Sequence, residues 1–432
     1  MNDRWQFLLN RAGELLWVKP LMMSVVSLAA ALLASAADHL LPAGWVPHIS
    51  QESLKTLLSI ISSSMLVIAT FAVGSMVSAY ASATTTATPR AFALVVADDV
   101  SQNALSAFIG AFIFSIVALV ALLNDYYDKS GRFILFVLTL AVFALVIVTF
   151  VRWVDRIARL GRIGTTIRHV EAATTAALEN WRQCPNLGGV AVTPRDADAL
   201  AVVSHQVGYV QHIEIPELQA FAEATSTRIE VATLPGKYLY PQRVLAHVVV
   251  ADGGDADLDL ERVAAAFRIG EERTFDEDPR FGLVVLSEIA SRALSPAVND
   301  QGTAIQVIAA LVRIFAHWGA CLRATPRKPE FDRVAVPSLT AASMFDDAFR
   351  SIARDGAASV EVGYRLQRSL RALADCGDQS MRDAAMQQSR RALARAETAL
   401  DAVEDRVMLR EIAQFARLDD SDVTESTPTR GD

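Results

Sequence analysis

Hydrophobic and polar positions change their rhythm near residue 151. Before it, apolar residues run in long blocks; after it, they recur at helix or strand spacing. Four blocks, residues 21–37, 54–81, 105–123 and 133–151, approach or exceed the ~20 residues that cross a bilayer. Lys55 stands at the edge of the second block, and no charged residue lies in the interior of any. The pattern predicts a domain of four transmembrane helices over 20–151. Ahead of it, Trp5, Leu8, Leu9, Ala12, Leu15 and Leu16 recur at helical spacing opposite Arg4, Gln6, Arg11 and Glu14. That is an amphipathic helix over 1–19, which either lies in the membrane interface or packs on the soluble part. Ala34-Ser35-Ala36 looks like a signal cleavage site. The 19-residue polar lead is long for a signal, however, and three more apolar blocks follow, so an uncleaved span is expected.

Beyond residue 151 the pattern becomes that of a water-compatible domain. Residues 152–196 read as a membrane-proximal helix, running on from the fourth span to about Trp181, and a linker rich in Asn, Gly and Pro. A β-rich module covers 197–275. Its strand-like runs are 200–204, 207–213, 228–234 and 244–250, with a short helix at 216–225 that starts near Pro216. A helical part covers 276–416. Asp278-Pro279 opens its first helix, with Asp as N-cap and Pro in the first turn. Ser295-Pro296 breaks that helix, and Asn299 or Asp300 caps the next, which runs to about Trp318. Further breaks are expected near Gly356 and Cys376-Gly377, and 417–432 reads as a disordered polar tail. The expected fold class is therefore an α-helical membrane domain of four transmembrane helices plus an α+β cytoplasmic domain, with a small β-barrel-like module and a helical C-terminal part.

Composition agrees with this division. The 432 residues are 52% hydrophobic and only 20% charged, below the ~25% of a soluble globule. Residues 1–151 hold 7 Lys and Arg and 8 Asp and Glu, against 33 and 40 in the remainder. The net charge of −8 argues against a nucleic-acid binder held by phosphate contacts. Arg4, Arg11 and Lys19 precede the first span, and Arg152, Arg156, Arg159, Arg162 and Arg168 follow the fourth. That excess predicts that both termini lie in the cytoplasm. Cys184, Cys321 and Cys376 are far apart and odd in number, which suits free thiols in a reducing compartment.

The second block is rich in small and hydroxyl residues. Ser63 belongs to it, and Thr70, Gly74, Ser78 and Ser82 fall four residues apart on one face. Such a stripe either lets helices approach closely, its hydroxyls bonded to backbone carbonyls, or lines a wet path. Proton relays and voltage sensors place ionisable groups at depth; none is visible in these blocks. Pro89 should end this helix near Thr88, after a projection of one or two turns past the membrane.

The run Gly208-Tyr209-Val210, the turn Pro235-Gly236 and the strand Leu245-Ala246-His247-Val248 resemble the small barrel of biotinyl and lipoyl carrier domains. Lys237 follows the turn instead of sitting at a hairpin tip, so no covalent cofactor is implied, and Gln242 stands where a turn glycine is expected. A broader resemblance covers roughly 10–415. Its markers are the hydroxyl-rich second span ending in Pro89-Arg90, Gly208-Tyr209-Val210-Gln211, Gly270 to Thr274, Asp278-Pro279 with Phe281-Gly282, and Ala293 to Asp300 followed by Thr303-Ala304. In these the chain resembles the bacterial integral membrane proteins of domain-of-unknown-function family 2254. It departs from the family's usual residues at Thr88 and Gln301. The resemblance implies location and architecture, not chemistry.

No catalytic constellation emerges: there is no zinc-type histidine motif, nucleophile elbow, P-loop or dinucleotide fingerprint. The chain is expected not to be an enzyme and to need no cofactor. His205 and His212, seven apart on predicted strands, would point to opposite faces of an unbroken strand. The densest polar group is Arg273, Asp278, Arg280, Glu288, Arg292, Ser295, Asn299 and Asp300. It is either a ligand or subunit site or a set of caps, turn bonds and surface ion pairs. Two functions stay open. One is a homo-oligomeric passive channel lined by Ser63, Thr70, Gly74, Ser78 and Ser82. The other is a membrane-anchored sensor or scaffold whose cytoplasmic domain binds a small molecule or protein. The partners expected are the lipid bilayer and further copies of the chain, not nucleic acid.

Overall fold

The computed structural model describes residues 18–34, 47, 49–86, 88–91, 94, 99–158, 162–192, 199–250, 258–321 and 328–416. Most of the amphipathic segment 1–19, residues 35–36 of the candidate signal site and the tail 417–432 lie outside the described residues. The chain forms two compact units, Met1–Thr166 and Ile167–Asp432.

The first unit is helical: α1 (Val18–Leu33), α2 (Gln51–Thr86), α3 (Asp99–Leu123) and α4 (Lys129–Ile157). α3 packs against α1, α2 and α4. Gly110 makes one of these approaches close, since a Cβ there would stand 2.8 Å from Met23 Cγ and 3.1 Å from Ser27 Oγ of α1. Two apolar clusters fill the bundle. One gathers Leu54, Leu58, Phe114, Leu122 and Leu135. The other gathers Ile61, Met65, Ala69, Ala72, Phe108, Ala111, Val146 and Trp153. Tyr127 Oη donates to Ala31 O at 2.6 Å, and Gln51 Nε2 donates to Leu122 O at 3.0 Å, tying the connections to helix ends.

Among the described residues, four helices are long and apolar enough to cross a membrane: Gln51–Ser82, Val100–Leu123, Lys129–Ile157 and Gln301–Gly319. The first three coincide with the apolar blocks from 54 onward. The block at 21–37 appears as α1, which has 16 residues. The fourth long helix was not among the expected spans. Its apolar side packs into the second unit, where Val307, Ile308, Leu311, Ile314 and Phe315 are buried, so a protein core accounts for its composition. α2 has 36 residues, about 54 Å at ~1.5 Å per residue, well beyond the ~30 Å hydrocarbon core.

A single helix was expected from the fourth span to Trp181. Instead α4 ends at Ile157 and α5 (Ile163–Gln183) starts afresh. Gly164 falls in the first turn of α5, and glycine weakens a helix interior.

In the second unit the expected β-barrel-like module is not closed. One sheet has the order β1-β8-β4-β6-β2, built from β1 (Gly189–Ala191), β8 (Phe331–Val336), β4 (Thr227–Val231), β6 (Val244–Val250) and β2 (Ala199–Val203). A separate sheet has the order β5-β3-β7, from β5 (Tyr238–Leu239), β3 (Gly208–Ile213) and β7 (Phe267–Gly270). β8 comes from outside 197–275 and runs parallel to both β1 and β4. Parallel pairing needs a long crossover, so this strand comes from far along the chain. The two sheets and α6 (Ile215–Ala224) share one core that includes Val210, Ile213, Leu218, Phe221, Ile229, Leu245, Val248, Phe267 and Val334.

After the short helix α7 (Leu260–Ala265), helices dominate, interrupted by β7 and β8: α8 (Pro279–Ala293), α9 (Gln301–Cys321), α10 (Ala341–Asp355), α11 (Val360–Cys376), α12 (Gln379–Ala399) and α13 (Val403–Ile412). The side chains of Asp278, Thr340, Ser359 and Asp378 cap α8, α10, α11 and α12. Phe315 of α9 meets Phe345 and Phe349 of α10 at 4.3 and 5.7 Å between ring centroids. Breaks fall at Gly356 and Gly377.

Candidate functional site

Two groups of residues were singled out from the sequence, one on α2 and one around α8. On α2, Leu54, Leu58, Ile61, Met65, Ala69, Ala72 and Met76 form the buried face. Ser63, Thr70, Gly74, Ser78 and Ser82 all fall on the exposed flank, turned away from the bundle. At 100° per residue, Ser63, Thr70 and Gly74 stand roughly opposite the buried line. Ser63 Oγ donates to Ser59 O at 2.9 Å, and Thr70 Oγ1 donates to Leu66 O at 2.9 Å. Thr56 on the same flank donates to Glu52 O at 2.8 Å. A Cβ on Gly74 would meet nothing within 4 Å. The flank is a shallow strip of small residues, and apolar Val67, Phe71 and Val77 alternate with it, also exposed.

The α8 group splits between the two ends of that helix. At its start, Asp278 is 3% exposed. Arg273 donates to Asp278 Oδ2 through Nε and Nη2, both at 2.7 Å. Phe281 N donates to Oδ1 at 3.2 Å, so one carboxylate both caps α8 and neutralises a guanidinium. Arg273 lies 5.0 Å from the centroid of the Phe281 ring, whose other neighbour, Phe275, is at 4.6 Å. Burial pushes the Asp278 carboxyl up, with Arg273 opposing. Arg280, one turn along, donates from Nε to Asp347 of α10 at 2.6 Å.

At the other end of α8, the polar atoms serve the turn. Ser295 Oγ donates to Arg292 O at 2.7 Å, and Asp300 N donates to Ala293 O at 2.7 Å. Asn299 has φ +49°, the left-handed region that asparagine tolerates. Asp300 accepts from Thr303 N at 3.0 Å and from Thr303 Oγ1 at 2.6 Å, capping α9. The Thr303 hydroxyl and the α9 amides hold the Asp300 carboxyl below the ordinary range. Arg292, Asn299 and Asp300 are exposed. Glu288 lies inside α8 and is not part of either end group.

Several residues beside Asp278 were not among the candidate site residues. Gly236, with φ +84°, lies against the carboxylate: a Cβ there would stand 1.9 Å from Asp278 Oδ2. Its neighbour Lys237 therefore projects beside Arg273 and Arg280. Burial pushes the Lys237 ammonium down; Arg280, Arg243 and Arg273 push the same way, against Asp347. Arg243 lies 5.8 Å from the Tyr240 ring centroid and donates to Tyr240 Oη at 3.3 Å. On the other side, His212 of β3 contacts Glu277 through Nδ1 at 2.5 Å and Glu214 through Nε2 at 3.5 Å. The Glu277 hydrogen bond raises the His212 pKa, against burial. His205 lies beyond the end of β2, so it does not share a strand with His212. Among the described residues, no group of three or more His, Cys, Asp or Glu side chains is arranged to hold a metal ion.

Long apolar helices joined to a mixed α/β unit define a membrane-associated class of protein. The chain matches, over residues 14–372, the family described as "Predicted membrane protein (DUF2254)", and it belongs to that family. It is 36% identical over 115 residues to an uncharacterized protein, MT1328, of Mycobacterium tuberculosis (strain CDC 1551 / Oshkosh). It is 35% identical over 115 residues to the uncharacterized protein Mb1321c of Mycobacterium bovis (strain ATCC BAA-935 / AF2122/97). Each match covers 26% of this chain and spans 22% of the relative's length. No solved structure matches the chain.

Proposed function

We propose that the chain is a multi-pass inner-membrane protein, with both termini cytoplasmic, whose copies assemble into a passive pore lined by α2. One observation carries this reading. The hydroxyl and small-residue strip of α2 is directed away from its own bundle, where a second copy or a water path would meet it. Ser63 and Thr70 spend their hydroxyl protons on their own helix. What they present outward is oxygen lone pairs, acceptors without a donor. A path walled in this way replaces part of a cation's hydration shell and offers nothing to an anion, so cations are the conducted class. No chemical step is assigned to the chain.

The test is conduction by the purified protein in planar bilayers. Under a potassium chloride gradient, the current should reverse near the potassium equilibrium potential. A current that reverses near the chloride potential refutes the cation preference, and silence across common ions refutes the pore. The second reading is a membrane-anchored sensor or scaffold. It is favoured by the fact that the Ser63 and Thr70 hydroxyls are already satisfied, as packing hydroxyls are. There, Thr70→Leu would change assembly and leave the second unit's ligand binding intact.

A further inference from the structure

The cations beside Asp278 outnumber the carboxylates that serve them. Asp278 is taken by Arg273 and by the α8 amide, and Asp347 is taken by Arg280. Lys237 and Arg243 make no ion pair among the described residues; Arg243 is held only by the Tyr240 ring and hydroxyl. Asp346 also acts on Arg280 but is held by Arg350 and Arg391, so Lys237 and Arg243 add two positive charges that no ion pair among the described residues neutralises. Arg273 and Arg280 are half-buried and held by carboxylates, and Lys237 and Arg243 stand exposed beside them. Gly236 abuts the Asp278 carboxylate, which fixes where Lys237 emerges. Asp278 fixes Arg273 through two donors, and Asp347 fixes Arg280. Arg273 keeps its Nη1 protons and Arg280 its Nη protons free of these pairs, since a guanidinium has five.

We propose that Lys237, Arg243, Arg273 and Arg280 form a binding site for a phosphate-class dianion. A phosphate monoester carries close to two negative charges at neutral pH, which matches the excess; a monocarboxylate would leave one cation uncompensated. The acceptor oxygens of a phosphate also suit a converging set of ammonium and guanidinium donors. Burial depresses the Lys237 ammonium first and the guanidiniums of Arg280, Arg243 and Arg273 add to it; that added repulsion is relieved when such an anion enters. The phosphate can belong to a soluble metabolite or to a lipid headgroup, which share this chemistry. The site stands independently of the pore, because it rests on the second unit alone.

The experiment is protection of Lys237 from an amine-acylating reagent in the detergent-solubilised full chain, read by mass spectrometry, with Lys55 and Lys129 as internal references. Millimolar inorganic phosphate or short-chain phosphatidic acid should slow acylation of Lys237 about fivefold or more and leave the reference lysines unchanged. Protection by phosphate identifies a soluble source. Protection by phosphatidic acid alone identifies the lipid source. Arg243→Gln, which breaks no ion pair, should weaken apparent affinity about fivefold to tenfold, the scale of one charge-assisted contact. Arg228→Gln, an exposed position on β4, should not. Equal protection at every lysine, no protection by either probe, or unchanged protection in Arg243→Gln would each overturn the proposal.

Discussion

Replacing Gly236 with alanine puts a methyl group where the Asp278 carboxylate already lies. The new Cβ would be 1.9 Å from Oδ2 and 2.4 Å from Cγ. Two costs follow. An alanine held at φ +84° loses about 1–2 kcal/mol against glycine. The carboxylate must also retreat from a site where it is 3% exposed, away from Arg273 and from the Phe281 amide. Losing an N-cap costs about 1 kcal/mol, and breaking a buried pair outright costs about 3–5 kcal/mol. Partial retreat brings the total to about 3–5 kcal/mol, among the larger effects of single substitutions. Thermal unfolding of the full chain in detergent, followed by circular dichroism, measures it. At ~2–4 °C per kcal/mol for a unit of this size, Tm should fall by about 8–15 °C. Gly74→Ala, which would touch nothing within 4 Å, should leave Tm unchanged. In an Asp278→Ser background, where the space is vacated, the added alanine should cost only its backbone share, so the two losses should be less than additive. A Gly236→Ala protein that melts within about 2 °C of the parent would refute the packing argument.

Other outcomes follow from the same geometry. His212 has its pKa raised, first by the Glu277 hydrogen bond, so its stabilisation is complete below the unfolded value of ~6.5 and is lost as pH rises through the folded value. The Tm gap between wild type and His212→Gln should therefore narrow from pH 6 to pH 8.5; a constant or widening gap contradicts the pairing. Gln242 sits at φ +72°, and Gln242→Gly should raise stability by about 0.5 kcal/mol, the left-handed penalty less the entropy of glycine; denaturant titration decides, and a loss would refute it. Asp300→Ala removes the α9 cap and should cost about 1 kcal/mol in the same titration. Its phosphate protection at Lys237 should stay at the wild-type level, which separates a structural turn from a ligand site.

What the sequence disclosed was local. Uncharged blocks of sufficient length announced α2, α3 and α4, because nothing but helix satisfies the backbone in such a run. Asp278-Pro279 announced α8, and Ser295 to Asp300 announced the turn after it, because caps and breaks are written in adjacent residues. The pairing of β8 with β1 and β4 was not legible: it depends on which distant strand fills an edge, and no spacing rule records it. The candidate cluster divided for a similar reason. Arg273 and Asp278 are close in sequence and form one contact, whereas Asp300 is capping chemistry at the far end of α8. Lys237 lies just before β5 and Arg243 just before β6, strands of different sheets, and the close approach of Gly236 brings Lys237 beside Asp278. Gln242, noted as a misplaced turn residue, does adopt positive φ. The apolar helix α9 shows the limit of length and composition, since its apolar face is matched by Phe345 and Phe349 within the second unit.

The claim on which the functional account turns is that the small-residue flank of α2 meets water. Single cysteines at Ser63, Thr70, Gly74 and Ser78, in a chain whose three native cysteines are replaced by serine, report this directly when treated in membranes with a membrane-impermeant thiol reagent. The account predicts labelling at these four positions and none at Leu66 and Val73, which are exposed on the sides of the helix. Labelling absent from the flank, or equal at Leu66 and Val73, would contradict it.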